Sequence, residues 1–436
     1  MGRKVFISVL GTGFYGACKY VKDGFVSTET RFIQQATLEY VKAHEWGATD
    51  TGIFLLTQKA KETNWDKTIA SRQNMRLNIS ESYEGLESIL EKMELPFKCQ
   101  SVYIHDGKDE DEMWGIFNEI FNQIEEGDEL YFDLTHSFRY LPMLVLVLNN
   151  YAKFLKNVTT KHISYGNYEA RNTSKNEAPI VDLLPLSSLQ DWTFAAANYL
   201  RNGDVSELNT LCVNSLTPIL SDSQKRVQTP SAGTLKSYVQ ALKELIEDMK
   251  WCRGVSILNG DHIRKVIDLS NMIDEVIITP MRPVLAKMKE SFSKFTPTAD
   301  VLNGYRAAKW CYENQLYQQS LTILHENMVS HICLAAGIDY KNDKKRGPVN
   351  SAFKIAFDNI PEDKWIVSCE EEKKVIKELL SMDEVKNLLS SFGTTTGLRN
   401  DYNHAGMRSN PTKANVLKER LKEIIDCIYG LYMPEE

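Results

Sequence analysis

The first 186 residues alternate short β-branched or aromatic runs with longer amphipathic segments, and this alternation constrains the fold most strongly. Two of the short runs, KVFISVL and ELYFDLT, are apolar on both faces, as strands are when helices cover both sides of a parallel sheet. The pattern predicts a Rossmann-like α/β domain. The predicted strands are Lys4–Leu10, Ile53–Thr57, Gln100–His105, Glu129–Asp133, Lys161–Tyr165 and Ile180–Leu183, and the clearest predicted helices are Arg31–His44 and Asp111–Ile124.

After Leu186 the strand pattern stops, and helical periodicity continues to the end of the sequence. This change predicts an all-α helical bundle behind the α/β domain. We expect three regions: a Rossmann-like domain over residues 1–188, a helical linker region over 189–300 and a second functional domain over 301–436.

Within the helical part, the amphipathic segment Tyr317–Ile332 predicts a long helix. A polar break is expected at Arg226–Thr234 and a loop around Lys341–Pro348, because both stretches combine proline and glycine with polar residues. In the last helix the apolar residues recur every three or four positions, with Asn410 expected to cap the helix and Pro411 to begin it.

Composition excludes several classes of protein. Hydrophobic residues make up 43% and charged residues 25% of the 436 residues, which is typical of a globular chain. The longest apolar run, Leu141–Leu148, is far shorter than a membrane span, and the N-terminus does not resemble a signal peptide, so we expect a cytoplasmic protein without membrane association. No metal site is predicted from the scattered cysteines Cys18, Cys99, Cys212, Cys252, Cys311, Cys333, Cys369 and Cys427.

The formal net charge of -7 argues against a protein that coats long nucleic acid nonspecifically, because such binding depends on many neutralised phosphates. A small, local phosphate site remains compatible with this charge.

A glycine-rich loop, Gly11–Gly16 (GTGFYG), directly follows the first predicted strand. Glycines allow close approach of the backbone to a ligand, and loops at the carboxyl ends of strands are where open α/β sheets bind. The loop is not a dinucleotide fingerprint, because no acidic residue closes the second strand. A tight turn without a ligand is the alternative.

A second motif, Asp133–Arg139 (DLTHSFR), follows the fourth predicted strand and precedes a helix. Thr135 and Ser137 supply hydroxyl groups, His136 and Arg139 supply donors for phosphate or a base edge, and the helix N-terminus adds a positive dipole end. These features predict an anion-binding cradle. A capped helix start with a solvent-facing arginine is the alternative.

A third motif, Arg399–His404 (RNDYNH), precedes the last helix in a polar stretch between two glycines. The spacing of Arg399 and His404 is a weak signal by itself, because short motifs recur by chance. A surface loop with a capping asparagine is the alternative.

Taken together and in this order, the three motifs resemble the CRISPR-associated CARF and HEPN ribonucleases of type III systems. The N-terminal part is similar to a CARF domain through GTGFYG, TRFIQQA, LLTQKAKETNW and DLTHSFRYLPML. The C-terminal part is similar to a HEPN domain through Arg399 and His404, with Asn400 as a polar companion. Residues 190–300 match this group less clearly.

The resemblance implies a dimeric, metal-independent endonuclease for single-stranded RNA that needs no cofactor and is activated by a cyclic oligoadenylate. We expect cyclic tetra-adenylate as the activator, with cyclic hexa-adenylate as the alternative. Other functions left open are a ring nuclease that cleaves the cyclic ligand in the α/β domain, and a non-enzymatic ligand-responsive regulator. The implied ligand-binding residues are Gly11, Thr12, Gly13, Thr135, His136, Ser137 and Arg139, and the implied catalytic residues are Arg399, Asn400 and His404.

Overall fold

The computed structural model describes residues 2–74, 79–136, 140–229, 231–273, 282–407 and 409–433, with the backbone alone at 70–74, 79–81 and 228. These residues form two compact units, Met1–Ser188 and Leu189–Glu436. The first is a mixed α/β unit and the second is all-helical, so the predicted fold class is confirmed.

The first unit is built on an eight-stranded sheet with the order β3-β2-β10-β9-β8-β1-β4-β7. Strands β9, β8, β1, β4 and β7 run parallel, and β10 pairs antiparallel with β9. A separate antiparallel hairpin consists of β5 and β6. The strands are β1 (Lys4–Val9), β2 (Lys19–Lys22), β3 (Phe25–Val26), β4 (Thr51–Leu56), β5 (Thr68–Asn74), β6 (Ile79–Glu84), β7 (Lys98–Tyr103), β8 (Glu129–Asp133), β9 (Thr159–Gly166) and β10 (Glu177–Asp182).

The central strands are buried on both faces, because apolar clusters lie on each side of the sheet. Ile7 belongs to the cluster that includes Val145 of helix α5, and its neighbour Phe6 belongs to the cluster that includes Leu38 of helix α1. The helices of this unit are α1 (Ile33–Tyr40), α2 (Gln58–Ala60), which continues as a π-helical segment (Lys61–Trp65), α3 (Leu86–Lys92), α4 (Glu110–Asn122) and α5 (Leu141–Lys156), and α6 (Leu184–Asn202) leads into the second unit.

All six predicted strands occur, with ends displaced by at most three residues. Strands β2, β3 and the hairpin β5–β6 were not predicted. These strands are short or polar; β3 is the edge strand of the sheet and β2 lies next to it. The helix predicted over Arg31–His44 is shorter in the structure, where α1 begins at Ile33 and ends at Tyr40.

The second unit consists of helices whose buried side chains form one cluster extending from Trp192 to Met433. This cluster has members on both sides of position 300, and the division into regions 189–300 and 301–436 stays a prediction. The helices are α7 (Ser206–Ser221), α8 (Ser223–Gln228), α9 (Ser231–Lys250), α10 (Gly254–Asn259), α11 (Asp261–Met272), α12 (Arg282–Glu290), α13 (Leu302–Glu313), α14 (Tyr317–Ala335), α15 (Asp343–Phe357), α16 (Glu370–Ser381), α17 (Asp383–Asn403) and α18 (Ala414–Tyr432).

The helical prediction differs from the structure in three details. A break lies within Arg226–Thr234, because α8 ends at Gln228 and α9 begins at Ser231, but most of this stretch is helical. The expected loop Lys341–Pro348 contains the start of α15, where the Asn342 side-chain oxygen accepts hydrogen bonds from the backbone N–H groups of Lys344 and Lys345. The last helix begins at Ala414, so Asn410 and Pro411 precede it. None of the helices in the described part of the chain combines the length and apolarity needed to cross a bilayer.

Candidate functional site

The first two motifs meet at the carboxyl ends of neighbouring parallel strands. β1 pairs with β4 on one side and with β8 on the other, so the chain order reverses between β1 and β8. Open α/β sheets bind ligands in the crevice at such a switch point. The glycine loop follows β1, and the described part of the second motif, Asp133–His136, lies at the end of β8, so both border this crevice.

Gly11 lies where these loops approach each other. A Cβ atom at this position would press against the Tyr15 hydroxyl oxygen and lie 3.2 Å from the His136 Cβ. The Tyr15 and His136 rings stack with their centroids 4.0 Å apart. The structure thus brings the first motif against the second through this stack.

Asn64, which the sequence analysis did not single out, holds the glycine loop in place. Its Nδ2 donates hydrogen bonds to the carbonyl oxygens of Gly11 at 2.7 Å and Gly13 at 2.9 Å. Its Oδ1 accepts a hydrogen bond from the Tyr83 hydroxyl at 2.8 Å. Because the Asn64 side chain is buried and bonded at both ends, the loop that carries Thr12 is anchored to the rest of the unit on this side.

A buried carboxylate supports the second loop from below. The Asp133 Oδ2 accepts a hydrogen bond from the Ser8 hydroxyl at 2.7 Å, and Oδ1 accepts from the Thr135 hydroxyl at 2.5 Å. The Thr135 hydroxyl oxygen in turn accepts from the Gly166 N–H at 2.8 Å. Burial raises the pKa of Asp133. The Thr135 hydroxyl proton is therefore committed to Asp133, and Thr135 ties the segment that follows β8 to the end of β9.

His136 is held as a neutral side chain. Burial lowers its pKa to about 4, and its Nε2 is buried without a hydrogen-bond partner among the described residues. The uncharged imidazole, stacked on Tyr15, forms part of the wall of the crevice and places one buried nitrogen there. It adds no positive charge at neutral pH. Ser137 and Arg139, the remaining residues predicted for this site, lie outside the described residues.

The buried histidines predict how stability depends on pH. Burial also lowers the pKa of His162 to about 4, from an ordinary value of 6.5. Burial favours the neutral form of the histidine in the folded state. Its contribution to the free energy of unfolding is therefore complete above pH 6.5 and is lost as the pH falls toward 4. We expect each histidine to reduce the free energy of unfolding by about 2 kcal/mol between pH 7.5 and 5. Urea unfolding of the His162→Gln protein should depend less on pH over this range than unfolding of the parent, and equal dependence would contradict the assignment.

The third motif lies at the C-terminal end of α17. Arg399 and Asn400 lie in its last turns, and His404 directly follows the helix. The alternative that this motif is a surface loop is therefore wrong for Arg399 and Asn400. Arg399 is half-buried, whereas Asn400 and His404 are exposed.

Buried Asp401 closes the turn that follows the motif. Its Oδ2 accepts a hydrogen bond from the Thr412 N–H at 2.7 Å, and its carbonyl oxygen accepts from the Gly406 N–H at 2.8 Å. Gly406 has a φ of +66°, which glycine adopts without strain. The turn therefore directs the chain from α17 toward α18 and leaves His404 exposed.

Glu326 on α14, which the sequence analysis also missed, lies beside Arg399. Its Oε1 is 3.6 Å from the Arg399 Nη1, and its Oε2 accepts a hydrogen bond from the Arg346 Nη2 at 2.8 Å. A hydrogen bond from His325 is the main cause that lowers the pKa of Glu326 to about 2. The carboxylate is thus charged at neutral pH and faces the guanidinium group of Arg399.

Comparison with known proteins identifies the first unit. A family model described as the CARF domain of the CRISPR system endoribonuclease Csx1 matches residues 5–170. These residues include the sheet from β1 to β9, the glycine loop and the Asp133–Arg139 motif.

A curated relative supports the same assignment. The CRISPR-associated protein MJ1674 of Methanocaldococcus jannaschii is 26% identical over 241 residues, which cover 54% of this chain and 34% of the relative. The match therefore spans about a third of the relative's length. Residues 5–170 of the α/β unit therefore match a CARF domain of the Csx1 type, and the chain is similar to a CRISPR-associated protein over about half of its length.

Proposed function

We propose that the protein is an endoribonuclease of type III CRISPR antiviral defence that cuts single-stranded RNA without a metal ion and is activated by a cyclic oligoadenylate. The observation that carries this proposal is the CARF match over residues 5–170, which includes the crevice between β1 and β8. The same chain places Arg399, Asn400 and His404 together at one end of a helix.

The sensor half of the proposal rests on the chemistry of the crevice. CARF domains bind cyclic oligoadenylates, whose phosphates need hydrogen-bond donors and whose adenines need apolar or aromatic surfaces. The glycine loop offers backbone N–H groups, and the Tyr15–His136 stack offers aromatic surface. Arg139 supplies the positive charge for a phosphate. We propose cyclic tetra-adenylate as the activator, with cyclic hexa-adenylate as the alternative. The proposed ligand-binding residues are Gly11, Thr12, Gly13, Thr135, His136, Ser137 and Arg139.

The nuclease half rests on the chemistry of RNA transesterification. This reaction needs a group that moves a proton between the 2'-hydroxyl and the leaving 5'-oxygen, and a cation that stabilises the charged intermediate. His404 is exposed and suited to proton transfer near neutral pH, and Arg399 supplies the cation. Asn400 adds a neutral hydrogen-bonding group beside them. Because Arg399 is half-buried within α17 and His404 is exposed beyond the helix end, a site that combines residues of two protomers suits them better than one protomer alone.

An exposed apolar stripe on α5 supports a homodimer. Met143, Val147, Tyr151 and Phe154 follow one another at helical spacing and are all exposed. The lysines of this helix are engaged elsewhere: the Lys153 Nζ donates to the Ser187 hydroxyl and the Lys156 Nζ to the Phe121 carbonyl. An uncharged stripe of this kind can pack against a second copy of itself around a two-fold axis.

The stripe predicts the effect of a charge at Phe154, which is 87% exposed. We expect Phe154→Glu to weaken dimerisation at least about a hundredfold, because the change removes apolar contact and buries a carboxylate twice in a symmetric interface. Sedimentation velocity at low micromolar concentration measures this shift. Met272→Glu, a similar change at an exposed methionine of α11, is the control that should leave the dimer intact. An unchanged sedimentation coefficient for Phe154→Glu would exclude the stripe as the interface.

The proposed function is tested by incubating labelled RNA with the protein in the presence and absence of cyclic tetra-adenylate and cyclic hexa-adenylate, and analysing both RNA and ring. RNA cleaved only with a ring supports the proposal. A ring linearised while the RNA stays intact supports the ring-nuclease alternative, and ring binding with neither cleavage supports a regulator.

A further inference from the structure

The turn between α9 and α10 exposes an unusual aromatic side chain. Trp251 is 71% exposed and is the most exposed of the seven tryptophans. The next residue, Cys252, has a φ of +53°, a left-handed conformation that costs free energy for a residue with a side chain. The turn therefore keeps a large apolar surface in water in a strained conformation, although Trp192 and Trp310 of the same unit are buried.

This turn packs beside the proposed catalytic arginine. On α14, the Gln319 Nε2 donates a hydrogen bond to the Lys250 carbonyl at 3.5 Å. Two turns further along the same helix, Glu326 lines a small cavity of about 40 Å³ together with Cys252. Glu326 is the residue whose carboxylate lies 3.6 Å from Arg399. One side of α14 thus joins the tryptophan-bearing turn to Arg399.

Electrostatic coupling between the same groups agrees with this placement. Burial raises the pKa of the Cys252 thiol, and the positive charges of Arg253 and Arg399 act in the opposite direction. The other end of the Arg399–His404 motif is also bonded to α14, because the Gln318 Nε2 donates a hydrogen bond to the Asn403 Oδ1 at 3.3 Å. The turn and the end of α17 are therefore both anchored to the first turns of α14.

The turn carries positive charge beside its aromatic ring. The Nε of exposed Arg253 donates a hydrogen bond to the Trp251 carbonyl at 2.8 Å, and its guanidinium has no ion pair among the described residues. Nearby Asp248 is occupied by hydrogen bonds with Ser256 and His262. Exposed aromatic surface next to an arginine is the combination that binds single-stranded nucleic acid, since the base stacks and the arginine meets the phosphate.

We propose that Trp251 stacks against a base of the RNA substrate and that Arg253 binds the adjoining phosphate, next to the cleavage site at Arg399. This inference rests on the proposed function, and it gives residues 190–300 a role in substrate binding. A stacking platform recognises every base through its π-face, so it supplies affinity for single strands with little sequence preference. Paired RNA, whose bases are already stacked, should bind less tightly.

The test uses a labelled single-stranded RNA made non-cleavable by 2'-O-methylation, with binding to the full-length protein measured by fluorescence anisotropy in the presence of cyclic tetra-adenylate. Trp251→Ala should weaken binding roughly 5- to 150-fold, and Trp251→Phe should restore most of it. Arg253→Gln should reduce the slope of log affinity against log salt by roughly 0.7. Phe194→Ala, which removes another exposed aromatic ring of the helical unit, is the matched control.

Cleavage of unmodified RNA separates this inference from the proposed function. For Trp251→Ala the KM for RNA should rise far more than kcat falls. If the parent binds the non-cleavable RNA through Trp251 but cuts no RNA, the inference stands and the proposed nuclease activity fails. If Trp251→Ala binds RNA like the parent, the inference is wrong, and it is equally wrong if the parent binds no RNA. A change of oligomeric state in Trp251→Ala with unchanged RNA affinity would assign the ring to a protein interface instead.

Discussion

The His404→Ala protein is expected to cut RNA at least about a thousandfold more slowly than the parent at saturating activator, because no other group takes over its proton transfer. Arg399→Ala should have an effect of similar size, since it removes the cation that stabilises the charged intermediate. Rates from single-turnover cleavage of labelled RNA check both.

The His404→Ala protein should fold like the parent, because His404 is exposed and follows the end of α17. Exposed His44, which lies in the CARF domain, provides the matched control: His44→Ala should cut RNA like the parent. Cleavage by His404→Ala at the rate of the parent would remove this histidine from the mechanism.

The second large effect concerns activation. Arg139→Ala is expected to raise the activator concentration needed for half-maximal RNA cleavage roughly ten- to a hundredfold, because a charge-assisted phosphate contact contributes about 1.5 to 3 kcal/mol. The rate at saturating activator should change little, since the ring acts only by shifting the population toward the cutting state. A titration of cyclic tetra-adenylate against the initial rate of cleavage measures both quantities.

Arg201→Ala, which removes an arginine from α6 in the helical unit, is the control for general loss of positive charge. Superimposable titrations for Arg139→Ala and the parent would exclude Arg139 from the ligand site.

The central sheet was predictable because its signal is local. β1 and β4 are almost wholly buried, so their apolar residues are consecutive and can be identified without knowledge of their partners. The meeting of Gly11 with His136 was also predictable in outline, since loops at the carboxyl ends of parallel strands share one edge of the sheet. By contrast, β2 and β3 were missed because strands of two to four residues carry too few apolar positions.

The supporting residues of both sites could not be predicted in the same way. Asn64 bonds to Gly11 across 53 positions of sequence, and an asparagine followed by a tryptophan is no signal of such a contact. Glu326 looks like an ordinary polar residue of a helix, and its role depends on α14, α15 and α17 packing together. The start of α18 was misplaced because Asn410 and Pro411 satisfy the local rules for a helix start, whereas Asp401 holds the Thr412 N–H and keeps the preceding chain in a turn.

A single experiment decides whether a ring bound by the CARF domain switches on RNA cleavage that needs no metal. The measurement is the initial rate of cleavage of a labelled single-stranded RNA in EDTA as cyclic tetra-adenylate is added, with cyclic hexa-adenylate in parallel and the RNA ends identified by mass spectrometry. We predict a rate that rises to saturation with one of the two rings and products that end in 2',3'-cyclic phosphate. Cleavage at the same rate without any ring, or cleavage that stops in EDTA, would contradict the account.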